Sequence, residues 1–206
     1  FLTFGSGLTT FSKYPIIEKK FIKFSSCTDT DCFSNKGVLL TRIDVPEIGK
    51  IDIYNTHYQA VDSAENVRIS DNKEFAMLVA KNDVGNPTIM TGDFNFTNFD
   101  ETDKTSKAFI DFRKKFNPLD TFRIANPTDP GLTNDSRINP YPGKKEVPKR
   151  LDYIFALPEN RGVGEQGLKY KFEVLESKVM FTEPVHGKFL SDHFGITTTL
   201  RIHLKK

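Results

Sequence analysis

The chain has 206 residues, enough for one sizeable core and a single domain, 1–206. Its apolar fraction is 37%, with 19 Phe and no Trp, and 29 Lys plus Arg against 27 Asp plus Glu leave a formal net charge of +2. That balance argues against a nucleic-acid-binding tail or a polybasic anchor, and no apolar run approaches the roughly 18 residues of a membrane-spanning helix. The chain opens on Phe1 instead of Met, which marks a processed product or a fragment and leaves targeting undecided.

In chain order, "GLTTFSKYPIIEKKFIKF" (7–24) reads as two strands joined at Tyr14-Pro15, where Pro15 holds its neighbour extended. Cys27 and Cys32 follow in "SSCTDTDCFSNKG". With no nearby His or further Cys they make a poor zinc site, and a small disulfide loop is the expectation, stabilising by ~2 kcal/mol. "KGVLLTRIDV" and "KIDIYNTHY" form a hairpin across 46–49. Asp62 or Ser63 offers an N-cap, and Val67, Phe75, Leu78 and Val79 share one face of a helix running to about Lys81. "NPTIMTG" reads as a short buried strand, and "KTSKAFIDFRKKF" as a second helix with Phe109, Phe112 and Phe116 inward. The stretch 125–149 is dense in Pro, Gly, Asn and Asp. It is too long for a plain connection, so it is a functional loop or partly disordered. Three strands close the chain: "RLDYIFAL", then "KYKFEVLESKVMF" with Tyr170, Phe172 and Val174 alternating. The last is "DHFGITTTLRIHL", with Phe194, Ile196, Thr198, Leu200 and Ile202 on one face. Many strands with few helices point to an α+β fold of two stacked, mostly antiparallel sheets flanked by helices, a four-layer α/β/β/α sandwich.

Polar clusters interrupt these strands at their ends: "YNTH" with His57, "TGDFN" with Asp93 and Asn95, "LSDH" with Asp192 and His193. Each alone has an ordinary structural explanation, since Asp and Asn two apart are common turn formers. Asp152 is harder to dismiss, because a carboxylate among Leu151, Tyr153, Ile154 and Phe155 is costly unless paired, and His193 is a suitable partner. Together the set suits phosphodiester hydrolysis. Oxygen ligands such as Asp93, Asn95 and Asp192 match a hard ion like Mg²⁺. One neutral His backed by a carboxylate can accept a proton from water, and a second His can donate to the phosphate.

Strung in order, "GLTTFSKYPI", "SNKG", "NTH", "GDFN", "RLDYIF" and "SDH" resemble the endonuclease/exonuclease/phosphatase superfamily, over Gly7 to His193. "GSGLTTFSKYPI" is similar to a stretch of animal neutral, Mg²⁺-dependent sphingomyelinases; "CxxxxCFSNKG" and "THYQAVDSAEN" resemble secreted bacterial ones. The resemblance implies that His193 is the general base and Asp152 the acid that orients it. It further implies that His57 meets the phosphate, that Asp93 and Asn95 position nucleophile, phosphate and metal, and that Asp192 lies at or beside the metal. Lys36 of "SNKG" is a candidate phosphate or headgroup contact, or a solvated lysine at a strand start. The implied cofactor is Mg²⁺, with Mn²⁺ as a substitute.

Members of this superfamily also carry an earlier strand with a metal-associated Asn and a segment with the principal metal-binding Glu. Only six residues precede Gly7 here, so the expectation is that those N-terminal strands are missing. The expected partner is a phospholipid at a membrane surface, with sphingomyelin cleaved to ceramide and phosphocholine. "MFTEPVHGKFL" would touch the bilayer through Met180, Phe181 and Phe189, although it lacks the Trp of the bacterial hairpin. A nuclease or an inositol-lipid phosphatase using the same residues is the alternative. Its densest basic run, "KKEVPKR" (144–150), reads better as a solvated loop. Without the Glu the chain could instead be a non-catalytic binding module. The cysteine pair suits a secreted or extracytoplasmic setting.

Overall fold

The structure, a computed structural model, describes residues 4–96, 105–142, 146–158 and 169–205; Lys144 and Lys145 of the basic run lie outside them. A six-stranded sheet has the order β1 (Ile16–Lys23), β2 (Gly37–Val45), β3 (Gly49–His57), β4 (Thr88–Asp93), β6 (Asp152–Ala156), β5 (Leu119–Asp120). Among its pairings only β3 with β4 is parallel. Strands β7 (Lys169–Met180) and β8 (Gly195–Lys205) form a second, antiparallel sheet. The α+β sandwich read from the strand pattern is therefore present.

Alternation along the strands sorts side chains to the two faces. On one face Leu40, Tyr54, Met90, Tyr153 and Phe155 meet helix α1 (Glu65–Asn82) and helix α2 (Lys107–Phe116) in a single core with Phe75, Phe109, Phe112 and Phe116. On the other, Ile89, Leu119 and Ala156 pack against Tyr170, Phe172, Leu200 and Ile202 of the second sheet. The core is largely aromatic, as the phenylalanine content implied. Phe94 alone has ring centroids 5.2–5.3 Å from Phe112, Phe155 and Tyr58.

The β2–β3 hairpin turns where expected, with Glu47 at φ 66 and Gly49 at φ 89. Several details differ from the expectations. Residues 7–14 form no strand: they run across β2 and β3, tied by Asn55 Nδ2 to Thr9 O (3.2 Å) and by Thr41 Oγ1 to Thr10 Oγ1 (3.1 Å). Neither Asp62 nor Ser63 caps α1, whose N-cap is Ala64. The segment before the helix instead wraps around Arg68, which donates to the carbonyls of Gln59 (3.0 Å), Val61 (2.7 Å) and Asp62 (2.9 Å) and so postpones the helix start. Arg68 rather than Val67 is the buried member of that turn, because its guanidinium finds carbonyl acceptors there. A short helix, α3 (Thr121–Ala125), lies where no periodicity marked one; Asp120 caps it by accepting from Arg123 N. In β7 a register shift between Val174 and Glu176 ends the apolar alternation and turns Ser177 inward.

Candidate active site

The site follows from strand register. His57 pairs opposite Asp93 across the parallel β3–β4 ladder, and Asp93 pairs opposite Asp152 across the antiparallel β4–β6 ladder. Three residues far apart in sequence thus form one row at the same edge of the sheet. Two like charges directly opposite each other oppose pairing, so this arrangement is a local cost that packing alone does not require. Gly92, at φ 127, makes the row possible: a Cβ there would sit 2.0 Å from Thr56 O. Phe94 and Phe96 point into the aromatic core and leave Asp93 and Asn95 facing outward. Asn95 takes a left-handed conformation, φ 50, and its backbone N–H donates to Asp93 Oδ1 at 2.8 Å. "GDFN" is thus a turn and part of the site at once.

His193 reaches the row from the loop before β8, where its Nδ1 donates to Asp152 Oδ2 at 2.8 Å. Its Nε2 lies 3.2 Å from the amide Nδ2 of Asn134. His57 Nε2 lies 3.4 Å from Asp93 Oδ2 and 3.1 Å from Lys36 Nζ. An ammonium has donors only, so the contact with Lys36 makes His57 Nε2 the acceptor of a neutral ring. Lys36 also donates to Tyr58 O (2.8 Å) and pairs with Asp31 (2.8 Å). Asp31 belongs to the loop closed by the Cys27–Cys32 disulfide, and it further accepts from Gln59 Nε2 and Ala60 N, both at 2.8 Å. These side chains line an open cleft of about 970 Å³ together with Tyr141, Glu146 and Lys149 of the long loop.

Charge and burial set distinct proton affinities. Burial, then the Lys36 ammonium, pulls His57 down to about 4. Burial pulls His193 the same way, but its hydrogen bond to Asp152 and the charges of Asp152, Asp93 and Asp192 outweigh it and raise it to about 9. Burial and then the Asp152 charge push Asp93 up. Asp93, Asp152 and His193 offer ligand atoms all within 4.8 Å of one another, a group that could hold a metal ion. Two carboxylates disfavouring each other's charge in one cleft are the donor set a hard cation relieves, so the residues present fit such an ion.

All the sequence-derived residues His57, Asp93, Asn95, Asp152, Asp192, His193 and Lys36 line this cleft. Asp192 is exposed, its carboxylate accepts from Ser191 Oγ at 3.0 Å and its backbone carbonyl from Asn139 Nδ2 at 3.3 Å, and it is not in the three-residue ligand group. Phe181 is 58% exposed, whereas Phe189 is half-buried against Tyr141 and Phe194. Sequence reading missed Asp31, Thr133 and Asn134. Asp31 could have been noticed as an acid inside the cysteine loop; Thr133 and Asn134 sit in the long loop, where nothing periodic distinguishes them.

No family model matches the chain. A Schizosaccharomyces pombe protein named inositol phosphosphingolipids phospholipase C is 28% identical, over 98% of this chain and 53% of its own. A Staphylococcus aureus phospholipase C is 31% identical, over 72% of this chain and 45% of its own. The crystal structure of Staphylococcus aureus beta toxin matches with a TM-score of 0.64 and 27% identity, covering 91% of this chain and 65% of the toxin. A mutant of that toxin with bound magnesium ions matches with a TM-score of 0.60 at 24% identity, over 94% of this chain and 71% of the toxin. The chain spans about half the length of the curated relatives it matches, 53% and 45%. By fold and relatives the chain is similar to members of the endonuclease/exonuclease/phosphatase superfamily. Within that superfamily its relatives are sphingomyelinase-like phospholipases C.

Proposed function

We propose that the chain is a metal-dependent phosphodiesterase of phosphosphingolipids, with sphingomyelin cleaved to ceramide and phosphocholine as the particular case. The observation that carries this reading is the single row His57–Asp93–Asp152, closed by the 2.8 Å pair of His193 with Asp152. In this mechanism the neutral form of His193 takes at Nε2 the proton of a water whose oxygen attacks phosphorus, while Asp152 holds the ring through Nδ1; the surrounding carboxylates, which raise the ring to about 9, make it a strong base and place its neutral form on the alkaline side. The bond from phosphorus to the ceramide oxygen breaks, that oxygen takes a proton from solvent water to leave as the ceramide hydroxyl, and His193 returns the proton it took to solvent. Lys36 supplies a fixed positive charge beside neutral His57, and both face the phosphate oxygens. Of the three-residue ligand group, Asp93 would hold Mg²⁺, or Mn²⁺ as a substitute, with Asn95 beside it, which leaves Asp152 and His193 to the water; Asp192 lines the same cleft outside that group. When bound, the ion supplies positive charge against the phosphate oxygens.

Phe181 and Leu190, 58% and 63% exposed, both precede the "SDH" motif and would meet the bilayer, with Phe189 half-buried between them in sequence. The disulfide suits an oxidising, extracytoplasmic compartment. A second headgroup, inositol phosphate, is favoured by the name of the Schizosaccharomyces pombe relative, which aligns with 98% of this chain.

The test measures headgroup release from vesicles of sphingomyelin or of inositol phosphosphingolipid, with Mg²⁺ and with EDTA, beside a DNA substrate. Mg²⁺-dependent release from either lipid supports the reading, and the faster arm identifies the headgroup. DNA cleavage without lipid turnover overturns it.

A further inference from the structure

We propose that a second cavity beside the catalytic cleft seats the substrate's headgroup, and that it selects a polyhydroxylated ring over a quaternary ammonium. The proposal rests on the reading of the row His57–Asp93–Asp152 as the place where phosphorus is attacked.

The cavity, of about 670 Å³, lies where helices α1 and α2 begin. It shares Asp62, Asn95, Val147 and Lys149 with the cleft, so the two are continuous. Asn95 is the shared residue that touches the row: its Nδ2 donates to Asp93 Oδ2 at 3.2 Å and to Tyr58 O at 3.0 Å. Residues 191–193 line the cleft but not the cavity. The exposed Leu190 leads into them, so a phosphodiester lying across the row has its lipid end at 191–193 and its headgroup at Asn95.

The cavity has a fixed floor and a set of spare polar groups. Glu65 accepts from Arg68 Nη2 (2.9 Å), Ser106 Oγ (2.9 Å) and Ala108 N (2.8 Å), which pins the starts of both helices to one carboxylate. Asp62 is engaged as well, holding Lys149 Nζ at 2.7 Å. Both acids are therefore already paired with cations. The Asn66 amide and the Lys107 ammonium also line the cavity, and neither side chain has a partner among the described residues. Lys149 has three N–H groups, of which Asp62 takes two. A ring of hydroxyls can accept from Lys107 and Lys149 and exchange hydrogen bonds with Asn66. A trimethylammonium group has no N–H to donate, and among the described lining residues it meets ammonium groups and no unpaired carboxylate. Polar groups arranged for hydroxyls discriminate against a ligand that lacks them.

The test uses water-soluble headgroups, so that vesicle binding plays no part. ¹⁵N-labelled protein with Mg²⁺ is titrated with inositol 1-phosphate and with phosphocholine, as wild type, Asn66→Ala and Lys107→Ala. Both residues are exposed in first helical turns, so the substitutions spare the core. We expect inositol 1-phosphate to move the backbone amide resonances of Asn66 and Lys107 and to bind about tenfold tighter than phosphocholine. Each substitution should weaken inositol 1-phosphate by about tenfold and phosphocholine by less than about twofold. Unmoved amides at 66 and 107, equal affinity for the two headgroups, or equal weakening of both in the variants overturns the proposal. Binding as expected in a protein that hydrolyses no sphingolipid would instead overturn the functional reading and leave the headgroup site standing.

Discussion

Asp71 lies on α1, 1% exposed, and neither of its carboxylate oxygens has a hydrogen-bond partner of normal length. Arg68, one turn earlier, does not neutralise it, because that guanidinium is turned to the carbonyls of 59–62 and to Glu65. Burial first, with the Glu74 charge adding and the Gln59 backbone, Lys36 and Arg68 opposing, raises its pKa from the ordinary 3.8 to about 7. The folded state therefore favours the protonated acid. This contribution is complete below pH 3.8 and is lost as the pH rises through 7. At about 1.4 kcal/mol per pH unit, holding Asp71 ionised at pH 8 costs up to about 4 kcal/mol. Asp71→Asn keeps the shape of the protonated acid and never ionises. In urea melts at pH 4, 6 and 8, its advantage should be near zero at pH 4 and grow to about 2–4 kcal/mol at pH 8. An advantage of the same size at every pH, or a loss at pH 8, would refute the electrostatic reasoning.

Asp152→Asn removes the charged acceptor behind His193 and should lower kcat by about 10²–10⁴-fold with little change in Tm; wild-type turnover would mean that the proton acceptor is elsewhere. Replacing Cys27 and Cys32 by Ser opens the loop that presents Asp31 to Lys36. We expect about 2 kcal/mol lost in denaturation and turnover reduced several-fold, and unchanged turnover would disconnect the loop from the site. Phe181→Asp with Leu190→Asp should weaken sedimentation with sphingomyelin vesicles by about tenfold or more, and equal sedimentation would move the bilayer contact elsewhere.

Several features were legible because they depend on near neighbours. Alternation in 192–204, the heptad-like spacing of Phe109, Phe112 and Phe116, and the turn at 46–49 are local, and each appears in the structure. Other features depend on distant groups. No helix-start signal could reveal that Arg68 would draw four residues of backbone around itself, or that 7–14 would lie across a hairpin rather than pair with it. The long loop was ambiguous for the same reason. Its described part packs closely, with Asn139 Nδ2 donating to Ser191 O at 2.8 Å, a contact 52 residues away.

The amino-acid order by itself determined which residue types stand at strand ends, and hence the chemistry on offer: two imidazoles, carboxylates, an amide and an ammonium. Tertiary structure decided which of them meet. A one-residue slip in either ladder would send Asp93 or Asp152 to the opposite face, because side chains alternate along a strand. Only the register of β3, β4 and β6, and the join made by Thr133, which accepts from Asp152 N at Oγ1 and from Phe194 N at its carbonyl oxygen, bring His57, Asp93, Asp152 and His193 to one cleft.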